Sequence, residues 1–370
     1  MKKALAVIII GSVLVTLFGC GIKEIESHTY VTGIGIDYAD GEFIVYTQSQ
    51  NFANIAKQEG TSSLQESAPM LVGEAKAKSI HAALTAIEQN APLPFYYGHV
   101  NAILVSESVI RDQLESVIDF IGQSPFLRYN IWFFGTKENV KDILLGESFF
   151  NFSSIYTVFH NPDSLTKNTY IIPIEEYNKF ISSYNQPAGS FIIPSLSINV
   201  TNFSEDKPLK VSVIDGGFSI SQQQYKGWVP KEELVGVKWL AKKAHYIPYS
   251  LIEDKVSLII ENPTLTIKVN DGSAPSYDIR LKAKAQITQN LDNISYDEIK
   301  KEMEKKIKEE MITTIKKSET MKTDLLNLSE KTYRYHLKKW DLATINSISK
   351  DSIKKIEVDV KIIKTVHYKR

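Results

Sequence analysis

A single thiol stands in this chain, at Cys20, and the residues before it decide what that thiol can do. Lys2 and Lys3 are followed by an apolar run from Ala4 to Phe18, broken only by Gly11, Ser12 and Thr16. A charged start, an apolar core of about 7–15 residues and a small residue before the cut form the pattern of an export signal. The run is shorter than the roughly 20 residues that span a bilayer. Leu17-Phe18-Gly19-Cys20 has the order of a lipobox, which predicts a signal peptide over residues 1–19 and lipid attachment at Cys20. There the sulfur takes a diacylglycerol, and the amine freed by cleavage takes an acyl chain. Each buried CH₂ contributes about 0.8 kcal/mol, so several acyl chains hold a protein on a bilayer where one does not. The alternatives are an uncleaved N-terminal anchor and an ordinary secreted protein.

The other chemistry-bearing residues are dispersed. One cysteine excludes an internal disulfide framework and a multi-cysteine zinc site. As the anchor, Cys20 is not a nucleophile. His28, His81, His99, His160, His245, His336 and His367 form no local ligand cluster, so neither a metal nor a cofactor is expected. His99 precedes a strand and suits orienting a loop, and Asp37 suits accepting turn or helix N–H bonds. Gly33-Ile-Gly35 lacks the third glycine of a dinucleotide fingerprint and reads as a strand end or bulge. No phosphate loop, HExxH or GxSxG occurs. Trp228, Trp239 and Trp340 fit either a ligand groove or, more simply, core. Without a visible nucleophile, metal cluster or phosphate loop, binding or scaffolding is the better class, and no catalytic residue is assigned.

The elements follow from periodicity. Tyr30–Ile36 and Phe43–Gln48 read as strands around an Asp40-Gly41 hairpin turn. Asn54–Ala68 reads as a loop. Glu74–Asn90 has Ile80, Ala83, Leu84 and Ile87 at helical spacing. Val100–Val105 and Asn130–Phe134 are strands, with Ser106 capping the helix between them and Thr136 capping a short helix through Leu145. Ile174–Tyr184 is a helix candidate in an aromatic, proline-spaced connector. Ile193–Val200 and Leu209–Ile214 are strands, and Asp215-Gly216-Gly217 turns the chain into Phe218–Ile220. Pro230 opens a helix through Lys243, with Leu234, Val237 and Leu240 inward. Val256–Ile260 and Thr264–Val269 are strands joined by Asn262-Pro263. Asp271-Gly272 turns into Tyr277–Gln286. Asp297–Lys322 is a long charged helix with Ile299, Met303, Ile307, Met311 and Ile315 on one face. Ile356–Ile362 is a late strand.

The expected class is α+β, with mixed or antiparallel sheets and packed helices. The domains are an N-terminal one over 20–190, a middle one over 191–262 and a C-terminal one over 263–370 that holds the long helix. Residues 191–370 are alternatively one region. The 370 residues carry 43 basic and 43 acidic side chains, 43% hydrophobic and 23% charged residues, which fits folded domains and not a polytopic membrane protein. Residues 21–150 hold 8 basic and 16 acidic side chains, a charge of −8, and residues 331–370 hold 11 and 4, a charge of +7. A neutral total argues against a generic nucleic-acid binder.

These segments resemble, in order, the Ger(x)C family of spore germination lipoproteins. The lipobox cysteine comes first, then Thr29-Tyr-Val-Thr-Gly-Ile-Gly-Ile-Asp37, Pro94-Phe-Tyr-Tyr-Gly-His99 and Arg128-Tyr-Asn-Ile-Trp132. Val213-Ile-Asp-Gly-Gly-Phe-Ser-Ile220, Val235-Gly-Val-Lys-Trp-Leu240, the long helix, Trp340 and the late strand follow. The family often has Trp-Asp after the cysteine, where this chain has Gly21-Ile22. The resemblance implies three mixed α+β domains and a non-enzymatic subunit of a nutrient germinant receptor. It would be lipid-anchored on the outer face of the spore inner membrane and assembled with the receptor's A and B subunits. Nucleic acid is not an implied partner. The rival class is a solute-binding lipoprotein of a transporter, with two similar lobes and a hinge. An exported hydrolase would need a cleft with two close carboxylates.

Overall fold

The computed structural model describes residues 28–50, 70–162, 172–240 and 246–363. Cys20 with its leader, the Asn54–Ala68 loop, His245 and His367 lie outside the described residues. Strand β1 (Thr29–Ala39) turns into β2 (Glu42–Gln50) at Asp40-Gly41, both at positive φ, as a two-residue hairpin turn requires. β3 (Met70–Ala77) adds antiparallel to β2. The helix expected from Glu74 begins later, as α1 (Ile80–Gln89), where the Ser79 hydroxyl accepts from Ala82 N. Gly73, Ala75 and Ala77 are drawn instead into the ladder opposite Thr47, Val45 and Phe43.

Next come β4 (Phe95–Tyr96), β5 (Ala102–Ser106), α2 (Glu107–Asp112), α3 (Leu114–Gln123), β6 (Trp132–Thr136), α4 (Val140–Leu144), α5 (Tyr177–Tyr184) and β7 (Ser190–Asn199). Ser106 caps α2 by accepting from Val109 N, as expected. Asn139, not Thr136, caps α4 by accepting from Lys141 N, while the Thr136 hydroxyl accepts from Glu138 N ahead of the helix and donates to Leu196 O, which ties β6 to β7. β8 (Val211–Ser221) and β9 (Gln224–Pro230) complete a nine-stranded sheet in the order β3-β2-β1-β5-β6-β7-β8-β9, with β4 beside β1. Its centre, β1-β5-β6-β7, is parallel, and antiparallel strands flank it on both sides.

Parallel strands are covered on both faces. Ile103, Val105 and Phe133 face α1, α2, α3 and α5, whereas Ala102, Leu104 and Phe134 face α4 and the segment 149–162. The strict alternation of buried side chains in Ala102-Ile-Leu-Val105 is what lets one strand serve two cores.

Asp215-Gly216-Gly217 is not a turn. β8 runs straight through, and the register moves from Leu196↔Ile214 to Ser195↔Gly216, which makes Asp215 the extra residue of a β-bulge. The glycines stay in the strand because a Cβ on Gly216 would press on the Trp228 indole at 2.8 Å. The helix expected from Pro230 is also absent. Pro230 closes β9, and two short 3₁₀ turns, Lys231–Glu233 and Val237–Leu240, follow. Leu234 and Val237 are buried all the same.

The second sheet is β10 (Tyr246–Leu251), β11 (Val256–Asn270), β12 (Ser276–Asn290) and β13 (Ile353–Ile363), in that order. β11 is one strand where two were expected. Pro263 lacks an N–H, and the chain absorbs this in a bulge between Glu261 and Thr264. β12 and β13 are parallel, joined across one face by α6 (Tyr296–Met321), α7 (Leu328–His336) and α8 (Leu342–Asn346). In α6, Ser295 caps Glu298 N, Asp297 and Glu298 complement the positive helix start, and Ile299, Met303, Ile307, Met311 and Ile315 are buried as their spacing predicts. The architecture is the α+β one expected from the sequence. Strands β7–β9 extend the first sheet, and residues 262 and 263 lie inside β11.

Candidate functional site

The Gly33-Ile-Gly35 pair on β1 is a packing device. A Cβ at Gly33 would stand 2.7 Å from a Phe159 ring carbon and 2.9 Å from Gln48 Oε1. At Gly35 it would stand 2.9 Å from Leu144 Cδ1. Bare backbone here lets α4 and residues 159–160 lie directly on the strand. Ile34 and Ile36, between and after the glycines, fill the opposite core.

On that bare strand sits a buried polar clasp. The His160 ring is held between two amides, with Nδ1 2.6 Å from Asn101 Oδ1 and Nε2 2.5 Å from Gln48 Oε1. Gln48 Nε2 donates to Leu144 O at 2.6 Å and Asn101 Nδ2 to His160 O at 3.2 Å. Two residues along β2, Gln50 accepts from Ser153 Oγ at 2.6 Å and donates to Ser154 Oγ at 2.5 Å. The segment 149–162 is thus fastened to β2 at two alternate residues whose side chains share a face. Burial pushes the His160 pKa down to about 3. A neutral ring carries one N–H, so it donates to one of the two amide oxygens and turns its other nitrogen toward the second. With the residue 3% exposed and both ring nitrogens against amide oxygens, this histidine offers no base to a substrate.

The residues singled out from the sequence are spread apart. Asp37 accepts from Ser108 Oγ at 3.0 Å and from Tyr38 N at 2.8 Å, at the carboxyl end of β1. His99 lies at the other end, with ring centroids 5.3 Å from Tyr30 and 5.6 Å from Tyr96. The three tryptophans share no groove. Trp228 lies under the Lys137 ammonium, Trp239 is core, and Trp340 donates to Gly272 O at 3.1 Å. Among the described residues no three His, Cys, Asp or Glu side chains are grouped to hold a metal ion, and no helix is long and apolar enough to cross a membrane.

Sequence reasoning missed the joint between the sheets. Lys238 Nζ lies 2.9 Å from Glu310 Oε1, and Trp239 Nε1 donates to Glu310 Oε2 at 2.8 Å. Both partners of the ion pair are nearly buried, with side chains 8% and 13% exposed. Burial pulls the Lys238 pKa down, and Glu310 acts against this. The Lys238 ammonium also lies 4.9 Å from the Tyr249 ring. Around the pair, Gly236 N donates to Thr314 Oγ1 and Thr314 Oγ1 donates to Glu233 O, both at 2.9 Å. Ser190 N donates to Asn327 Oδ1 at 3.0 Å. Val229, Leu234 and Val237 enter the same apolar core as Leu258, Ile307 and Met311. The two sheets are therefore fixed in one orientation by directional bonds as well as by burial.

Comparison with known proteins decides the family. Residues 21–198 match the model of the spore germination protein N-terminal domain, and residues 215–366 match the spore germination B3/GerAC-like C-terminal model. The chain belongs to the Ger(x)C family of spore germination proteins. Spore germination protein KC of Bacillus subtilis (strain 168) is 22% identical over 97% of this chain and 94% of its own length. The crystal structure of the GerBC protein superposes with a TM-score of 0.53, over 90% of this chain and 97% of that one, at 17% identity, and it shares the fold. In this Ger(x)C chain the gap between the two matched regions, residues 199–214, begins at the end of β7 and runs into β8, inside one sheet.

Proposed function

We propose that this chain is a lipid-anchored, non-enzymatic subunit of a nutrient germinant receptor, held on the outer face of the spore inner membrane through Cys20. It assembles there with the receptor's A and B subunits. The observation that carries the reading is the match, in order and over most of the chain, to both halves of the spore germination family. The structure is consistent with it in kind. The polar clusters described above are spent on fastening segments and sheets together, as in a scaffold. A solute-binding lipoprotein would need two similar lobes, whereas the two sheets differ in strand number and topology.

The mechanism of such a subunit is geometric. An anchor at Cys20 confines the folded part to the plane of the membrane and raises its effective concentration near membrane partners. Cys20→Ala is expected to block lipid attachment and to leave the leader uncleaved, read by intact mass as the gain of residues 1–19 and the loss of the acyl chains. A mass that differs from that of the unsubstituted chain only by the substitution contradicts the anchor. Pull-down of the chain from spore membranes is expected to bring down a polytopic membrane protein, identified by mass spectrometry. Recovery of the chain without one contradicts the assembly.

A further inference from the structure

The face of the first sheet opposite α1 carries a continuous row of exposed aromatic rings. Phe203, Phe149, Phe150, Phe152 and Tyr156 touch in sequence, with centroid separations of 4.7, 6.3, 6.3 and 5.6 Å. All five are at least 37% exposed, and Phe150 reaches 76%. Phe150 has a left-handed backbone (φ 55°), a costly state for a bulky side chain, and its N–H is held by Glu205 Oε1 at 2.9 Å. The strain turns the most exposed ring of the row outward. Monomeric proteins seldom leave such contiguous apolar area in water.

We propose that this row is a docking surface for the lipid bilayer, into whose interface the Phe149, Phe150 and Phe152 rings insert. The inference rests on the anchor at Cys20. Eight residues lie between Cys20 and Thr29, and the nine steps from one to the other limit the lipid to within ~30 Å of the start of β1. The row ends at that same place. Ser153 and Ser154 bond to Gln50, and Gln50 pairs with Tyr30 across β1 and β2. The anchor therefore delivers this face to the membrane first. On the rim, Glu147 pairs with Lys207 at 3.8 Å and accepts from Lys210 N, and Glu205 accepts from Phe150 N. With Glu147, Glu205 and Asp206 against Lys207 and Lys210, this rim has no basic excess to draw it to anionic headgroups, so attachment depends on apolar insertion. The protruding rings suit a soft interface better than a fitted protein groove. The His160 clasp holds the row in place from beneath.

Consumption of Cys20 by lipid leaves the chain without a free thiol, so one engineered cysteine can be labelled uniquely. The full lipidated chain carrying Phe152→Cys with an environment-sensitive dye is bound to vesicles of phosphatidylethanolamine and phosphatidylglycerol that contain nitroxide lipids. The same dye at Gln89→Cys, on α1 across the sheet, is the reference. The dye at position 152 is expected to be quenched strongly and the dye at 89 weakly, with no change when phosphatidylcholine replaces the anionic lipid. Adding Phe149→Asp and Phe150→Asp is expected to reduce quenching at 152 to the level at 89 while the chain still floats with the vesicles. Flotation with equal quenching at both positions overturns the docking surface and leaves the anchor standing. So does protection of the dye only when other membrane proteins are present. A chain that does not float overturns the anchor, and the docking proposal with it.

Discussion

Replacing Glu310 by alanine is expected to lower the unfolding free energy by about 3–5 kcal/mol, because it strands the buried Lys238 ammonium without its partner. The same substitution removes the acceptor of the Trp239 indole N–H. The measurement is urea unfolding of the detergent-solubilised lipidated chain, followed by circular dichroism. The double variant Lys238→Met with Glu310→Leu is expected to recover most of the loss, since an apolar pair of similar size avoids both charges. What remains is the unpaired indole N–H, at about 1–3 kcal/mol. A loss below about 1 kcal/mol for Glu310→Ala would mean that water reaches Lys238, and that the joint is a surface ion pair.

The second large effect is at His160. Leucine there leaves Gln48 Oε1 and Asn101 Oδ1 buried without the ring between them. The neutral ring donates to one of them, and losing that bond is expected to cost about 1–3 kcal/mol. The pH dependence separates this from simple packing. The folded-state pKa of about 3 lies below the unfolded value, so the unfolded chain takes up the proton first as pH falls. The contribution is complete above pH ~6.5 and is lost on going down toward 3, at up to about 1.4 kcal/mol per pH unit. Between pH 6.5 and 5 the wild-type chain is therefore expected to lose stability more steeply than His160→Leu. Equal slopes would show that the ring is protonated in the folded chain as readily as in the unfolded one.

Where pattern and burial coincide, the sequence was legible. The fourfold recurrence of Ile299, Met303, Ile307, Met311 and Ile315 located α6 within a residue at each end, because one stripe faces one sheet. Asp40-Gly41 located its turn because both positions require positive φ. It misled where glycine and proline serve a sheet. Gly216 and Gly217 look like a turn, yet they are small because Trp228 and Ile192 crowd β8. Asn262-Pro263 looks like a break, yet a bulge carries the strand past it. Ala75 and Ala77 suit a helix, and only pairing with β2 makes them strand.

The candidate sites were less legible still. Gln48 and Gln50 are two polar residues near the end of an apolar strand, and His160 lies more than a hundred positions away. Nothing local links them. Lys238 was not among the inward residues Leu234, Val237 and Leu240 expected of its segment, and its burial depends on α6 arriving from another part of the chain. The Phe149–Phe152 cluster was visible as aromatic-rich, but its exposure is set by the left-handed Phe150 and by Glu205. Family motifs fared better for a physical reason. Gly33 and Gly35 meet steric limits on one face of β1, where Phe159 and Leu144 press on the strand, which fixes residue type at that spacing.

The most direct test of the account is the nutrient response of spores that lack this chain and carry no redundant receptor. Loss of germination with the receptor's nutrient is expected, with non-nutrient triggers still effective and the response restored by the intact chain. Unchanged nutrient germination in those spores would contradict the assignment to a germinant receptor.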